Sequence, residues 1–159
     1  MGFGIVPALR IGQAVLAVFG LAMSCYVANW YNVDISAASP SQVNFLIFAS
    51  IWSLISLAVL EIVPRFAPRA SHPYSALAFE FTNVIFWFAG FIAIAVFLSR
   101  LLFCRNAVCG VAQADAVISA FQFVIWGVSI FFMAKDVFKG GLRRPAAGRA
   151  GQSMKETVA

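Results

Sequence analysis

A carboxylate six positions into a membrane-length apolar run constrains this chain more than any other feature. Residues 75–98 read SALAFEFTNVIFWFAGFIAIAVFL, and only Glu80, Asn83 and small hydroxyls interrupt their apolar character. At about 1.5 Å per residue such a run crosses a hydrocarbon core of roughly 30 Å. An ionised group at the centre of a membrane helix costs roughly 2.5–3.5 kcal/mol even on lenient insertion scales. Glu80 must therefore face other helices, and the rest of the chain has to supply them.

It has the material. Of 159 residues, 62% are hydrophobic and 11% charged, against about 25% charged in a soluble domain. That leaves too little polar surface to solubilise a domain of this size, so the class is an all-α integral membrane bundle. Four spans are expected, at residues 11–31, 43–63, 75–98 and 111–134. Residues 1–138 form one membrane domain, and residues 139–159 a basic tail too rich in glycine and alanine to bury a core. Ser39-Pro40 reads as the cap of helix 2, Pro64 as its stop, and Pro73 as the first residue of helix 3. Gly20, Ser24 and Ala28, and again Ala112, Ala116 and Ala120, recur every four residues. That spacing lets helix backbones approach closely, although small residues are common enough in such helices to coincide by chance.

Sidedness follows from charge. With both termini on one side, that side carries nine Lys and Arg residues and the other only Arg100 and Arg105. The positive-inside bias places both termini in the cytoplasm. Cys104 and Cys109 then face outward, where oxidising conditions permit a disulfide; two free thiols are the alternative. Cys25 reads as a small buried apolar residue.

Glu80 and Asn83 lie three residues apart, on one face of helix 3. Asp115 lies near the outer end of helix 4, at a level Arg100 can reach, so an outer ion pair is expected there. An intramembrane acid is by default an ion or proton path. A transporter, however, calls for a second titratable group at similar depth and for repeats or broken helices, and none is visible. The favoured role for Glu80 is structural, pairing with helix 1 (Arg10 is its nearest candidate partner) or accepting from polar neighbours. Trp52, Trp87 and Trp126 fall near mid-membrane and suit aromatic packing, or a rigid lipid-facing surface matched to a flat sterol. Lys135, Lys139, Arg143 and Arg144 sit beside the membrane and suit anionic headgroups. His72 reads as a solvated loop residue, and Ser153 gives only a weak phosphorylation signal. No catalytic pair, metal cluster or phosphate loop appears, and the tail lacks the interleaved aromatics of a nucleic-acid binder.

The Glu-x-x-Asn pair followed by IFWFAG, the cysteine pair of the second outer loop, and helix 4 opening near CGVAQADAVISAFQFVIW resemble the MARVEL domain over residues 5–138. The closer likeness is to its fungal branch, the non-classical export protein family. That resemblance implies a four-helix bundle without enzymatic activity or cofactor. It implies association with sterol- and sphingolipid-rich plasma-membrane domains, with secretory traffic, and with copies of itself or larger membrane proteins. Glu80 and Asn83 would carry the shared motif, and Cys104 and Cys109 the loop pair. The first outer loop has no claudin-type signature, so no junctional barrier role is implied. The competing reading is a small channel or transporter subunit using Glu80.

Overall fold

The structure, a computed structural model, describes residues 5–66, 73–100 and 107–142. They form four helices: α1 (Ile5–Val33), α2 (Ser41–Phe66), α3 (Pro73–Arg100) and α4 (Ala107–Leu142). Each contains a stretch long and apolar enough to cross a membrane. In lipid a helix satisfies every backbone group within itself, which is why these sequences adopt no other form.

The helices overrun the expected spans at both ends. With 29, 26, 28 and 36 residues they are about 39–54 Å long, beyond a hydrocarbon core of about 30 Å. Two expected boundaries are corrected. Pro64 does not end α2, which continues to Phe66. A proline in the last turn removes a single N–H, and the carbonyl it leaves lies near water. Helix 4 does not end at 134 but runs to Leu142, so the first residues of the expected tail are helical. Pro73 does open α3. Pro40 lies just before α2, its carbonyl accepting from the N–H groups of Val43 and Asn44 at 3.0 and 3.1 Å.

The turn between α1 and α2 is closed by Asp34 N–H on the Trp30 carbonyl and Ala37 N–H on the Tyr31 carbonyl, both at 3.0 Å. Ser36 takes a left-handed conformation there, with φ 53°. Such tight connections make sequence neighbours antiparallel. Each helix packs on the next and α4 closes against α1, while the diagonal pairs make no close backbone approach.

The bundle is polar inside and apolar outside. Ile11, Phe19, Phe81, Phe121 and Phe131 point outward. Gln13, Ser24, Ser50, Ser53, Glu80, Asn83, Ser119 and Gln122 are buried. Water drives apolar groups inward in a soluble protein, but lipid tails are as apolar as leucine, so polar groups decide what faces in. Two apolar clusters complete the interior. One, of Val27, Ala28, Val43, Val108 and Ala112, seals the end where α1 and α3 finish. The other sets Leu46, Leu57, Ile94, Trp87 and Trp126 along the length.

Candidate functional site

The buried polar side chains form a column with three levels. At the first, Arg10 of α1 forms an ion pair with Glu80 of α3, with both side chains buried. This pair spans the diagonal that the backbones leave open. Ser129 of α4 donates to Glu80 Oε1 at 3.0 Å. Arg10 also donates to Gln13 Oε1 at 3.2 Å and lies 5.9 Å from the centroid of the Trp126 ring. Gln122 Nε2 ties α4 to the Gln13 carbonyl at 3.0 Å.

At the second level α2 meets α3. The Ser53 hydroxyl donates to Asn83 Oδ1 at 2.7 Å and accepts from Trp87 Nε1 at 2.8 Å. Asn83 Nδ2 donates to Ser56 Oγ at 2.9 Å and to the Phe79 carbonyl at 2.8 Å. Glu80 and Asn83 are thus neighbours on α3 that serve different partners, Glu80 turning to α1 and α4 and Asn83 to α2. Ser50, Ser53 and Ser56 recur every three residues in an apolar span, and that spacing of hydroxyls was a readable sign of an inward face. Gln13, one turn after Arg10, carried the same sign.

At the third level Ser24 of α1 donates to Asp115 Oδ2 at 2.5 Å, and Ser119 folds back onto the Asp115 carbonyl at 2.8 Å. The expected Arg100–Asp115 pair is not formed. Asp115 is 1% exposed, whereas Arg100 is exposed in the last turn of α3. Ser119 and Gln122 follow Asp115 on the same face of α4, and turning that face inward gives each of the three a partner: Ser24 for Asp115, the Asp115 carbonyl for Ser119 and the Gln13 carbonyl for Gln122. Arg100, at a helix end, keeps its charge in water.

The small-residue seams divide. Gly20, Ser24 and Ala28 are all buried on the inner face of α1. Gly20 lies close to Ser50, Trp87 and Asp115. Ala112 belongs to the sealing cluster. Ala116 and Ala120 instead line an open, apolar groove of about 370 Å³ on the outside of α3 and α4, with Phe91, Val117, Phe121 and Val124. Gly90, absent from both seams, makes the closest approach, with Leu46 packed directly on it.

Trp87 and Trp126 are fully buried. Trp52 is half-buried and lies against Phe48, Phe79 and Phe86 at ring separations of 6.0–6.3 Å. Cys25 is exposed on α1 rather than buried; inside and outside are both apolar to it, so its side was not legible. Lys135 rests 5.0 Å from the Phe131 ring centroid near the end of α4. Cys104, Arg143, Arg144, His72 and Ser153 lie outside the described residues, as does the pairing of Cys104 with Cys109. Among the described residues no three His, Cys, Asp or Glu side chains gather as a metal site.

The family profile of MARVEL, described as a membrane-associating domain, matches residues 4–132. That segment holds all three polar levels. No curated protein and no solved structure matches the chain.

Proposed function

The chain belongs to the MARVEL family of membrane-associating domains, and from that premise we propose that this multi-pass membrane protein is a non-enzymatic scaffold of sterol- and sphingolipid-rich plasma-membrane domains and their traffic. The observation that carries this reading is the inside-out partition. Arg10, Gln13, Glu80, Asn83, Asp115 and Gln122 all turn inward, and the outer surface offers lipid an aromatic wall and a groove. Phe45, Phe48, Trp52 and Phe86 make the wall on α2 and α3. The groove between Phe91 and Phe121, floored by Ala116 and Ala120, suits a rigid, flat lipid better than a flexible one. A rigid partner loses less conformational freedom on docking.

Under this reading both termini are cytoplasmic. Lys135, Lys139, Arg143 and Arg144 contact anionic headgroups, Cys104 and Cys109 form an outward disulfide, and the protein self-associates or joins a larger membrane protein. What favours a scaffold over ion passage through Glu80 is the burial of that carboxylate between Arg10 and Ser129, together with the apolar seal at the far end of the column.

The test is reconstitution. Liposomes carrying the protein should show no proton or ion flux above empty vesicles. Lipid mass spectrometry of the protein extracted in native nanodiscs should find sterol enriched around it, and Ala120→Phe should reduce that enrichment severalfold by filling the groove. Robust flux abolished by Glu80→Gln would overturn the reading.

A further inference from the structure

We propose that Asp115, Ser50 and Gly20 form a buried binding site for one small monovalent cation of the sodium class. The inference goes beyond the scaffold reading and does not depend on it.

Charge comes first. Arg10 is engaged by Glu80, and it sits ten residues from Gly20 on α1, about 15 Å along the axis. Among the described residues Asp115 has no ion-pair partner. What faces it from α1 is Ser24 and Gly20, from α2 Ser50, and from α3 Trp87. A buried carboxylate without a countercharge is disfavoured in so apolar a setting. One positive charge neutralises it, whereas a divalent ion leaves an excess of the opposite sign.

The ligands come next. Ser24 occupies Asp115 Oδ2, and Oδ1 is left unpartnered and fully buried. Ser50 Oγ is unpartnered and buried as well. The other two serines on its face of α2 find partners, Ser53 in Asn83 and Trp87 and Ser56 in Asn83 and the Trp52 carbonyl. Ser50 alone of the three does not. Both free oxygens flank Gly20. A β-carbon there would lie 3.5 Å from Ser50 Oγ, 3.7 Å from Asp115 Oδ1 and 3.6 Å from the Trp87 ring. The missing side chain thus leaves a methyl-sized space walled by two oxygens, one of them charged. Oxygen donors suit a hard cation. With the apolar cluster above it and the Arg10–Glu80 pair below, the ion is a slowly exchanging resident that joins α1, α2 and α4.

The test uses the full chain in mild detergent at fixed neutral pH and about 0.15 M ionic strength. Thermal unfolding is followed in sodium, potassium and choline chlorides, with bound radioactive sodium counted after equilibrium dialysis. Sodium should raise Tm over choline by about 5 °C or more once it reaches about a hundred times its dissociation constant, and about one ion should be bound per chain. Asp115→Asn should abolish the sodium increment and the bound isotope, and Ser50→Ala should weaken binding about tenfold. Gly20→Ala keeps ordinary packing distances and so folds, but its methyl occupies the ion's space and should also abolish the increment. Identical unfolding in sodium and choline, the result expected if a proton neutralises Asp115, would overturn the proposal. So would a sodium increment that survives in Asp115→Asn or Gly20→Ala.

Discussion

Arg10 and Glu80 show what a buried ion pair does in this molecule. Each charge is tolerable only because the other is present, and neither has water to fall back on. Removing one partner of such a pair typically costs about 3–5 kcal/mol, while replacing both with apolar groups of similar volume is often neutral. Arg10→Met and Glu80→Leu should each destabilise the bundle by about that amount, and the double variant by much less than either. Unfolding midpoints in mixed detergent, run as a double-mutant cycle, measure it; additive losses would show that the pair is not coupled. The cost of placing an acid in the third span made Glu80's need for a helical partner legible, and Arg10 was the nearest candidate. Asp115 was misassigned by the same kind of reasoning. Arg100 stood at a suitable height, but height does not fix which way a helix is turned, and the turn of α4 gives Asp115 to Ser24. Hydrogen bonds across membrane helices contribute about 0.6–2 kcal/mol. Trp87→Phe, which loses the donor to Ser53 together with part of a fully buried ring system, should cost that hydrogen bond plus a cavity contribution, about 2–4 kcal/mol by the same unfolding assay.

At the scale of the helices, hydropathy locates four spans but not their ends, because a helix keeps its hydrogen bonds whether or not lipid surrounds it. Hence α2 passes through Pro64 and α4 reaches Leu142. Nor does hydropathy tell inner from outer faces when both are apolar; hydroxyls and amides at three- and four-residue spacing tell it instead. Backbone approach was partly readable. Gly20 and Ser24 were visible as a seam, whereas Gly90 was not, since no small residue lies four positions to either side of it to mark a stripe. Yet Gly90 sets how near α3 comes to α2. A β-carbon there would stand 2.7 Å from Leu46 Cδ2, with Phe45 also in contact. Leu46 is fully buried, so it has no free direction in which to yield. Gly90→Ala should cost about 1–3 kcal/mol, the usual range for overpacking. Gly20→Ala, whose nearest contacts are 3.5–3.7 Å, should cost under about 1 kcal/mol in sodium-free buffer, because alanine is also the better helix former. Parallel denaturation of the two variants decides it, and equal losses would contradict the packing described.

For the whole molecule, an even number of spans and a lopsided charge distribution together make a topological prediction. Four helices in a closed ring bring both ends of the chain to one side of the membrane. That side gathers nine of the eleven Lys and Arg residues, and short basic segments beside spans resist translocation. The tail should therefore be digested by protease only after cells are permeabilised. An impermeant thiol reagent applied outside should reach Cys104 and Cys109 in intact cells, and if they are joined, only after reduction. Cys25 lies well inside α1 on the lipid-facing surface, where a charged reagent does not partition, so Cys25→Ser should leave the external labelling unchanged. Orientation responds to the charge difference and not to the bundle, since the same four helices pack equally well with either end inward. Neutralising Arg10, Arg65, Arg69, Lys135, Lys139, Arg143 and Arg144 leaves two basic residues on each side, and this variant should insert in mixed orientation, with tail protection and cysteine labelling both falling toward half. If the variant kept a single orientation, something other than basic charge would be setting the topology.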